Sequence, residues 1–411
     1  MNVKDQIRIT AKQQGRKYTG LIIPILLGAM SILFLLFLHM LTDTGVFSPS
    51  YYNTYTRQAM AWRDGLLHLP ENVEALELAV YQNEYYVSFP PVPSVIEWFL
   101  TFFFGMATPD NFLMMLYSVL SCECLYFFFR KNEMGYLSSS IYAFSVCFVG
   151  CILPMCLVGA VWYHAQLLAF AFICVSCLMF SHDHPLPALI CYALSVGCRP
   201  FNAIYGIVLM LIYVLRKLRE HIPFLKILKK MLPGIIAGLM IAAVYGWYNF
   251  IRFDNIFEFG HNWLPEFSTQ GGVQFSLSHI PQNARTFLFG MPFSLGAETD
   301  TLRLNKFGFS VFIACPVITI MCMFVLKRIF TGKIHLQESI ILLGFTLHFF
   351  LLLLHRTFGG YQFGARYTCD LLIYAALYFA LAKKETNGFE IAVFAFSLIF
   401  SVYGTYVTCL F

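Results

Sequence analysis

The chain has 411 residues, 59% of them hydrophobic and only 12% charged, with a mean hydropathy of +0.68. Water-facing domains carry roughly 25% charged residues, so the composition excludes an ordinary soluble enzyme and predicts an all-α polytopic membrane protein. The net charge of +5 lies mostly in the flanks of apolar runs and gives no reason to expect nucleic acid as a partner.

Runs such as LIIPILLGAMSILFLLFLHML (21–41) reach the roughly 20 residues that cross a bilayer as a helix. The strands of a membrane barrel would instead show about 10-residue alternation. Residues 1–19 hold Lys4, Arg8, Lys12, Arg16 and Lys17 against Asp5 alone. Positive flanks stay in the cytoplasm, so the first run reads as an anchor helix that leaves the N-terminus inside. Further apolar runs fall near 92–107, 111–129, 137–152, 157–180, 186–215, 232–250, 308–326, 336–354, 367–382 and 389–410. One crossing per run predicts about eleven transmembrane helices, within a range of roughly 10–13. Most of the 13 cysteines lie inside these runs and read as small buried hydrophobes.

Between the first two runs lies a polar excursion, 42–91, assigned to the outer face. Within 51–67, Tyr52, Tyr55, Ala59, Trp62 and Leu66 recur at helical spacing opposite Arg57, Gln58 and Arg63. That pattern predicts an amphipathic helix in the membrane interface. The excursion closes on YQNEYYVSFPPVPSV (81–95), where the prolines force an extended turn before the next helix. RKNE (130–133) falls outside if every run crosses once, against the charge rule. The run 186–215 is longer than a bilayer requires and is interrupted by CRPFN (198–202). Two half-helices meeting at a break are expected there, with Arg199 facing a polar cavity. HDH (182–184) reads as a solvated turn, because positions i and i+2 do not share a helix face.

Basic clusters at RKLREHIPFLKILKK (216–230), Lys327–Arg328 and Lys383–Lys384 mark the inner face. They leave 251–307, a second long excursion, and 355–366 outside. Long aromatic-rich loops of this kind are commonly functional. Outer arginines need a reason to be there, and a planar guanidinium suits phosphate oxygens. Arg252, Arg356 and Arg366, together with His261, are therefore anion-binding candidates.

WRDGLLHLP followed by YQNEYYVSFPPVPSVIEWFLTFFFG, then GCRPFNAIYGIVL (197–209), YNFIRFDNIFEFGHNW (248–263) and FGARYTCDLL (363–372), resembles the polytopic glycosyltransferases of the GT-C superfamily, especially bacterial members. The resemblance implies transfer of a sugar from a polyprenyl-phosphate donor to an acceptor on the extracytoplasmic face of the cell membrane, in a chamber roofed by the outer loops. It places a catalytic acid shortly after the first span. Asp43 is the candidate base there, with Glu84 next and Asp64 below it, although no paired acidic motif follows the span. Asn53, Arg57, Arg199, Arg252, Glu258, His261, Arg356, Arg366 and Tyr367 are candidate substrate-binding residues. With one isolated acid after the span, no divalent metal is expected. The acceptor stays open among glycan, lipid and protein. A transporter or flippase of lipid-linked or small polar substrates, or an inactive scaffold of the same fold, remains the alternative.

Overall fold

The computed structural model describes residues 3–269, 271–295, 301–357 and 359–409, with side chains from residue 20 onward. The side chains of Lys4 to Lys17, which set the expected orientation, lie outside the described residues. Helix α1 (Val3–Thr42) leads to α2 (Thr54–Arg63), the hairpin strands β1 (Leu78–Tyr81) and β2 (Glu84–Val87), and α3 (Val92–Phe104). Then follow α4 (Asp110–Lys131), α5 (Tyr136–Phe148), α6 (Val161–Ser181), α7 (Pro185–Val196), α8 (Ala203–Arg219) and α9 (Phe224–Phe253). The second excursion carries α10 (Pro265–Ser268), α11 (Ile280–Phe289), strands β3 (Phe293–Leu295) and β4 (Leu302–Leu304), and α12 (Val311–Ala314). Helices α13 (Pro316–Phe330), α14 (Leu336–Leu354), α15 (Leu372–Leu381) and α16 (Gly388–Cys409) complete the chain.

Seven helices among the described residues are long and apolar enough to cross a membrane, those beginning at Gly20, Asp110, Val161, Pro200, Phe224, Leu336 and Gly388. Helices α5 and α7 are shorter apolar helices packed among them. Apolar on every side, α15 lies wholly in the core, every residue from Leu372 to Ala380 being buried, as an all-round hydrophobic helix must. Helices α1, α9 and α16 turn Ile25, Leu239 and Phe396 outward, the lipid-facing complement of that core.

Ion pairs gather the basic clusters at one end of the bundle. Lys383 meets Glu133, and Asp183 binds both Lys217 at 3.2 Å and Lys230 at 2.6 Å. Arg219 reaches Gln337 at 2.8 Å. RKNE therefore lies with the other basic clusters, at the same end of the bundle. The expectation that failed was a crossing at 92–107. Val92 N donates to the Gly197 carbonyl at 3.1 Å, and Asp110, just past the helix, accepts from Ser50 N at 2.9 Å in the loop after α1, so both ends of α3 lie opposite the basic clusters, and the helix stops at Gly105 with φ +55°. It lies against α2 instead: Arg63 Nη1 donates to the Thr101 carbonyl at 2.6 Å, and Ser94 Oγ to Gln58 Oε1 at 2.6 Å.

The long run 186–215 resolves differently too. Helices α7 and α8 double back as a hairpin: Tyr192 Oη donates to the Ala203 carbonyl at 3.0 Å, while Arg216 Nη2 near the far end of α8 reaches the Phe180 carbonyl at 2.6 Å. CRPFN is the tip of that hairpin, opposite the basic end, and no mid-helix break exists there.

The tyrosine-rich stretch is a β-hairpin. Tyr81 pairs with Glu84, leaving Gln82 (φ +52°) and Asn83 (φ +67°) as the loop, the two positive values that a two-residue turn matched to strand twist requires. Tyr81 Oη donates to Asp254 at 2.9 Å, and its ring sits 4.7 Å from that of Trp263. The hairpin thus joins the first outer excursion to the second.

This topology makes a labelling prediction. Cysteines introduced at Glu133 and Lys383 react with an impermeant maleimide from one face of sealed vesicles, and a cysteine at Phe257 from the other. Labelling of the Glu133 and Phe257 positions from the same face would restore a crossing at 92–107.

Candidate functional site: a chamber at the tip of the helical hairpin

Opposite the basic end, a cavity of about 290 Å³ opens where five segments meet. Its walls are Phe89 and Pro90 from the end of the first excursion, the hairpin tip 198–201, and the start of α6. The second excursion contributes 257–262 and 274–275, and the segment around α14 and α15 adds His355, Arg366 and Tyr367. The prolines of FPPVP turn the chain from β2 into α3 at the rim, so the first excursion supplies one wall of the chamber.

Two arginines define the chemistry. Arg199 bonds Asp370 Oδ2 through Nη2 at 2.6 Å and Nε at 3.2 Å. Gln166 donates to Asp370 Oδ1 at 2.7 Å and to the Arg366 carbonyl at 3.0 Å, and its Oε1 accepts from Arg366 Nη1 at 3.2 Å. Tyr205 Oη donates to the Asp370 carbonyl. Arg366 is 3% exposed, yet no carboxylate pairs with it among the described residues. Besides Gln166 its partners are the Trp162 carbonyl at 3.4 Å and the Gly359 carbonyl at 2.9 Å, and Nε has none. Gly359, at φ +111°, comes so near that a Cβ there would lie 2.6 Å from the guanidinium. The Tyr367 ring is shared by both cations, with Arg199 5.1 Å and Arg366 4.9 Å from its centroid.

Two imidazoles face the same space. Burial holds His261 and His355 down to about 4, helped in both by the Arg199 charge and in His355 also by His261 and Arg366. Both are neutral near pH 7, so the fixed positive charge of the chamber comes from guanidinium. Among the described residues the lining contains one carboxylate, Glu258, which accepts from Gly260 N at 2.6 Å and Asn262 Nδ2 at 2.6 Å. Each carboxylate oxygen keeps a lone pair beyond these bonds.

Of the residues singled out in the sequence, Arg199, Glu258, His261, Arg366 and Tyr367 are thus brought together. The others lie elsewhere. Asp43 is exposed in the turn after α1, at φ +54°, and lines no part of the chamber. Glu84 accepts from Tyr86 Oη at 2.6 Å and meets His68 at 3.0 Å. Asn53 accepts from Arg57 Nε at 3.1 Å, and Arg57 faces a separate hollow with Asp64. Arg252 is buried at the hairpin junction, donating to the Val87 carbonyl at 3.0 Å and lying 4.0 Å from the Tyr248 centroid. Arg356 pairs with Glu266 at 3.3 Å on the exposed edge of the second excursion.

Sequence reasoning missed Asp370, Gln166 and His355. Asp370 had a signal, an acid at i+4 from Arg366 leading into an apolar run. Gln166 had none, since a lone amide in an apolar helix reads as an ordinary core polar group.

No protein-family model matches the chain, and no curated protein matches it. Among solved structures it is similar to the oligosaccharyltransferase of Archaeoglobus fulgidus in its apo form, at 13% identity and a TM-score of 0.44, over 94% of this chain and 55% of that one. It is also similar to archaeal AglB of the same organism in complex with an inhibitory peptide and a dolichol-phosphate, at 13% identity and a TM-score of 0.46, over 96% and 56%. The chain spans little more than half the length of either structure. Both are oligosaccharyltransferases by description. Similarity of this degree assigns neither substrate nor site.

Two predictions follow from the chamber wall. Asp370→Asn leaves the half-buried Arg199 without its anion and costs about 1.5–3 kcal/mol, read as a lower melting temperature in detergent. The second concerns acid. Unfolded histidines take up protons near pH 6.5, whereas His261 and His355 do so only at about 4. Their contribution to stability is complete above roughly pH 6.5 and declines as the pH falls toward 4. The melting temperature drops across that window, and His355→Gln flattens part of the drop.

Proposed function

We propose that the protein is a membrane glycosyltransferase that moves a sugar from a polyprenyl-phosphate donor to an acceptor at the extracytoplasmic face of a bacterial-type cell membrane, with the N-terminus in the cytoplasm. The observation that carries this reading is Arg366, a buried guanidinium facing the chamber with no carboxylate partner among the described residues. A buried charge without a counterion is costly, and a phosphate presents the planar pair of oxygens that guanidinium bonds best.

In this reading Arg366, with Arg199 beside it, holds the donor phosphate. Glu258 takes the proton from the acceptor hydroxyl. The acceptor oxygen bonds to the anomeric carbon as the bond from that carbon to the phosphate oxygen breaks, and both electrons leave on the lipid phosphate. The arginines stabilise that developing charge, the larger part of such catalysis. His261 and His355, neutral at working pH, and Asn262 offer hydrogen bonds to sugar hydroxyls. Exposed Phe257 and half-exposed Phe275 at the rim suit an isoprenoid chain. The chamber sits at one end of the bundle, whereas transport sites typically lie at mid-membrane between repeats, which favours transfer over a transporter.

Purified protein incubated with a panel of labelled polyprenyl-phosphate sugars should release polyprenyl phosphate with at least one of them. Glu258→Gln lowers turnover by about 10²–10⁴-fold while donor binding persists, and Arg366→Gln weakens the binding itself. Asp43→Asn keeps activity, because that side chain stands outside the chamber. Full turnover in Glu258→Gln with loss in Asp43→Asn would return the base to the turn after α1.

A further inference from the structure

Beneath the chamber wall, outside the residues that line it, three ionisable side chains converge in the core. Glu97 of α3 is 0% exposed, Asp110 at the start of α4 2%, and His164 of α6 1%. One ligand atom from each lies within 4.8 Å of the others. Glu97 Oε1 and His164 Nδ1 are 3.6 Å apart. Thr56 of α2 offers its single hydroxyl proton to two acceptors, Glu97 Oε2 at 3.3 Å and Asp110 Oδ1 at 3.2 Å, and Ser50 N donates to Asp110 Oδ2 at 2.9 Å. No lysine or arginine pairs with either acid among the described residues.

Acceptors therefore outnumber donors in a closed space. Glu97 Oε1, facing His164, and His164 Nε2 have no hydrogen-bond partner. Two carboxylates in contact without a cation are among the most expensive groups to bury. We infer that this cluster is a structural site for a divalent transition ion of the zinc class. Two carboxylate oxygens and one imidazole nitrogen form a ligand set that suits zinc or manganese, and two carboxylates neutralise a charge of +2. Thr56 completes the surround, and the rings of Tyr55 and Tyr117, 5.4 and 5.7 Å from that of His164, close it off. An ion there ties α3, α4 and α6 together. It would also fix the chamber wall, since Trp162 and Ala165 flank His164 on that helix. The expectation of no metal was drawn from the single acid after α1, whereas these ligands come from two apolar runs further along the chain and the short polar link at 108–110. The inference is independent of the proposed sugar transfer.

The test uses the full chain purified in detergent. Elemental analysis of protein made without added chelator should find close to one zinc or manganese per chain. After chelation, adding back Zn²⁺ or Mn²⁺, but not Mg²⁺, should raise the melting temperature by about 5 °C. Glu97→Gln and His164→Gln each abolish the rise, while His182→Gln, an exposed histidine at the basic end, keeps it. Substoichiometric metal in the wild type, with no rise from Zn²⁺ or Mn²⁺, would overturn the proposal. So would wild-type stability in Glu97→Gln, which a carboxyl pair sharing one proton would tolerate.

Discussion

The constraint that organises the cavity end of this protein is the price of placing charge in a low-dielectric body. Asp370 takes Arg199, and Gln166 spans from that carboxylate to Arg366, so two cations share one anion and one amide. A bridge of this kind holds its members to a narrow geometry, because every departure strands a buried polar atom. It also leaves a surplus of one guanidinium directed at the cavity. The tip of the α7–α8 hairpin, the start of α6 and the turn before α15 are fixed relative to one another by these few bonds.

Around that centre the two outer excursions act as walls rather than as surface loops. The β1–β2 hairpin is clamped from the other excursion by Arg252 on the Val87 carbonyl and by Tyr81 on Asp254. Arg252 is therefore a joint: its three nitrogens donate to the Tyr248 and Val87 carbonyls and to Asn249 Oδ1, its guanidinium lies over the Tyr248 ring, and it lines no part of the chamber. Arg366 differs in that it lines the chamber and its Nε has no partner among the described residues. The contrast between these two buried arginines is the ground on which Arg366, and not Arg252, is proposed as the anion seat.

The buried acids near α3 illustrate the same physics from the opposite sign. An ionisable side chain inside an apolar run is expensive enough to mark a site by default, and Glu97 within VIEWFL carried that mark in the sequence. It went unread because 92–107 was taken as a lipid-crossing helix, where one acid could face anywhere. Packing α3 on α2 turned the same residue toward Asp110 and His164, 13 and 67 positions further along. Hydropathy is summed over a window and so sees length and apolarity. It is blind to whether a short helix crosses the bilayer or lies along its edge.

The amino-acid sequence by itself determined the helical membrane architecture, the two polar excursions and the shared end of the basic clusters at 216–230, 327–328 and 383–384. It also marked Arg199, Glu258, His261, Arg366 and Tyr367 as polar groups where lipid gives no reason for them. These are properties of composition, periodicity and local charge, legible within some twenty residues. Only the tertiary structure decided which charges meet. Asp370 belongs to Arg199 across 171 positions, Asp43 belongs to neither arginine, and the run at 186–215 folds back on itself. Pairing between distant segments is set by how helices pack, and no local pattern of residues encodes that.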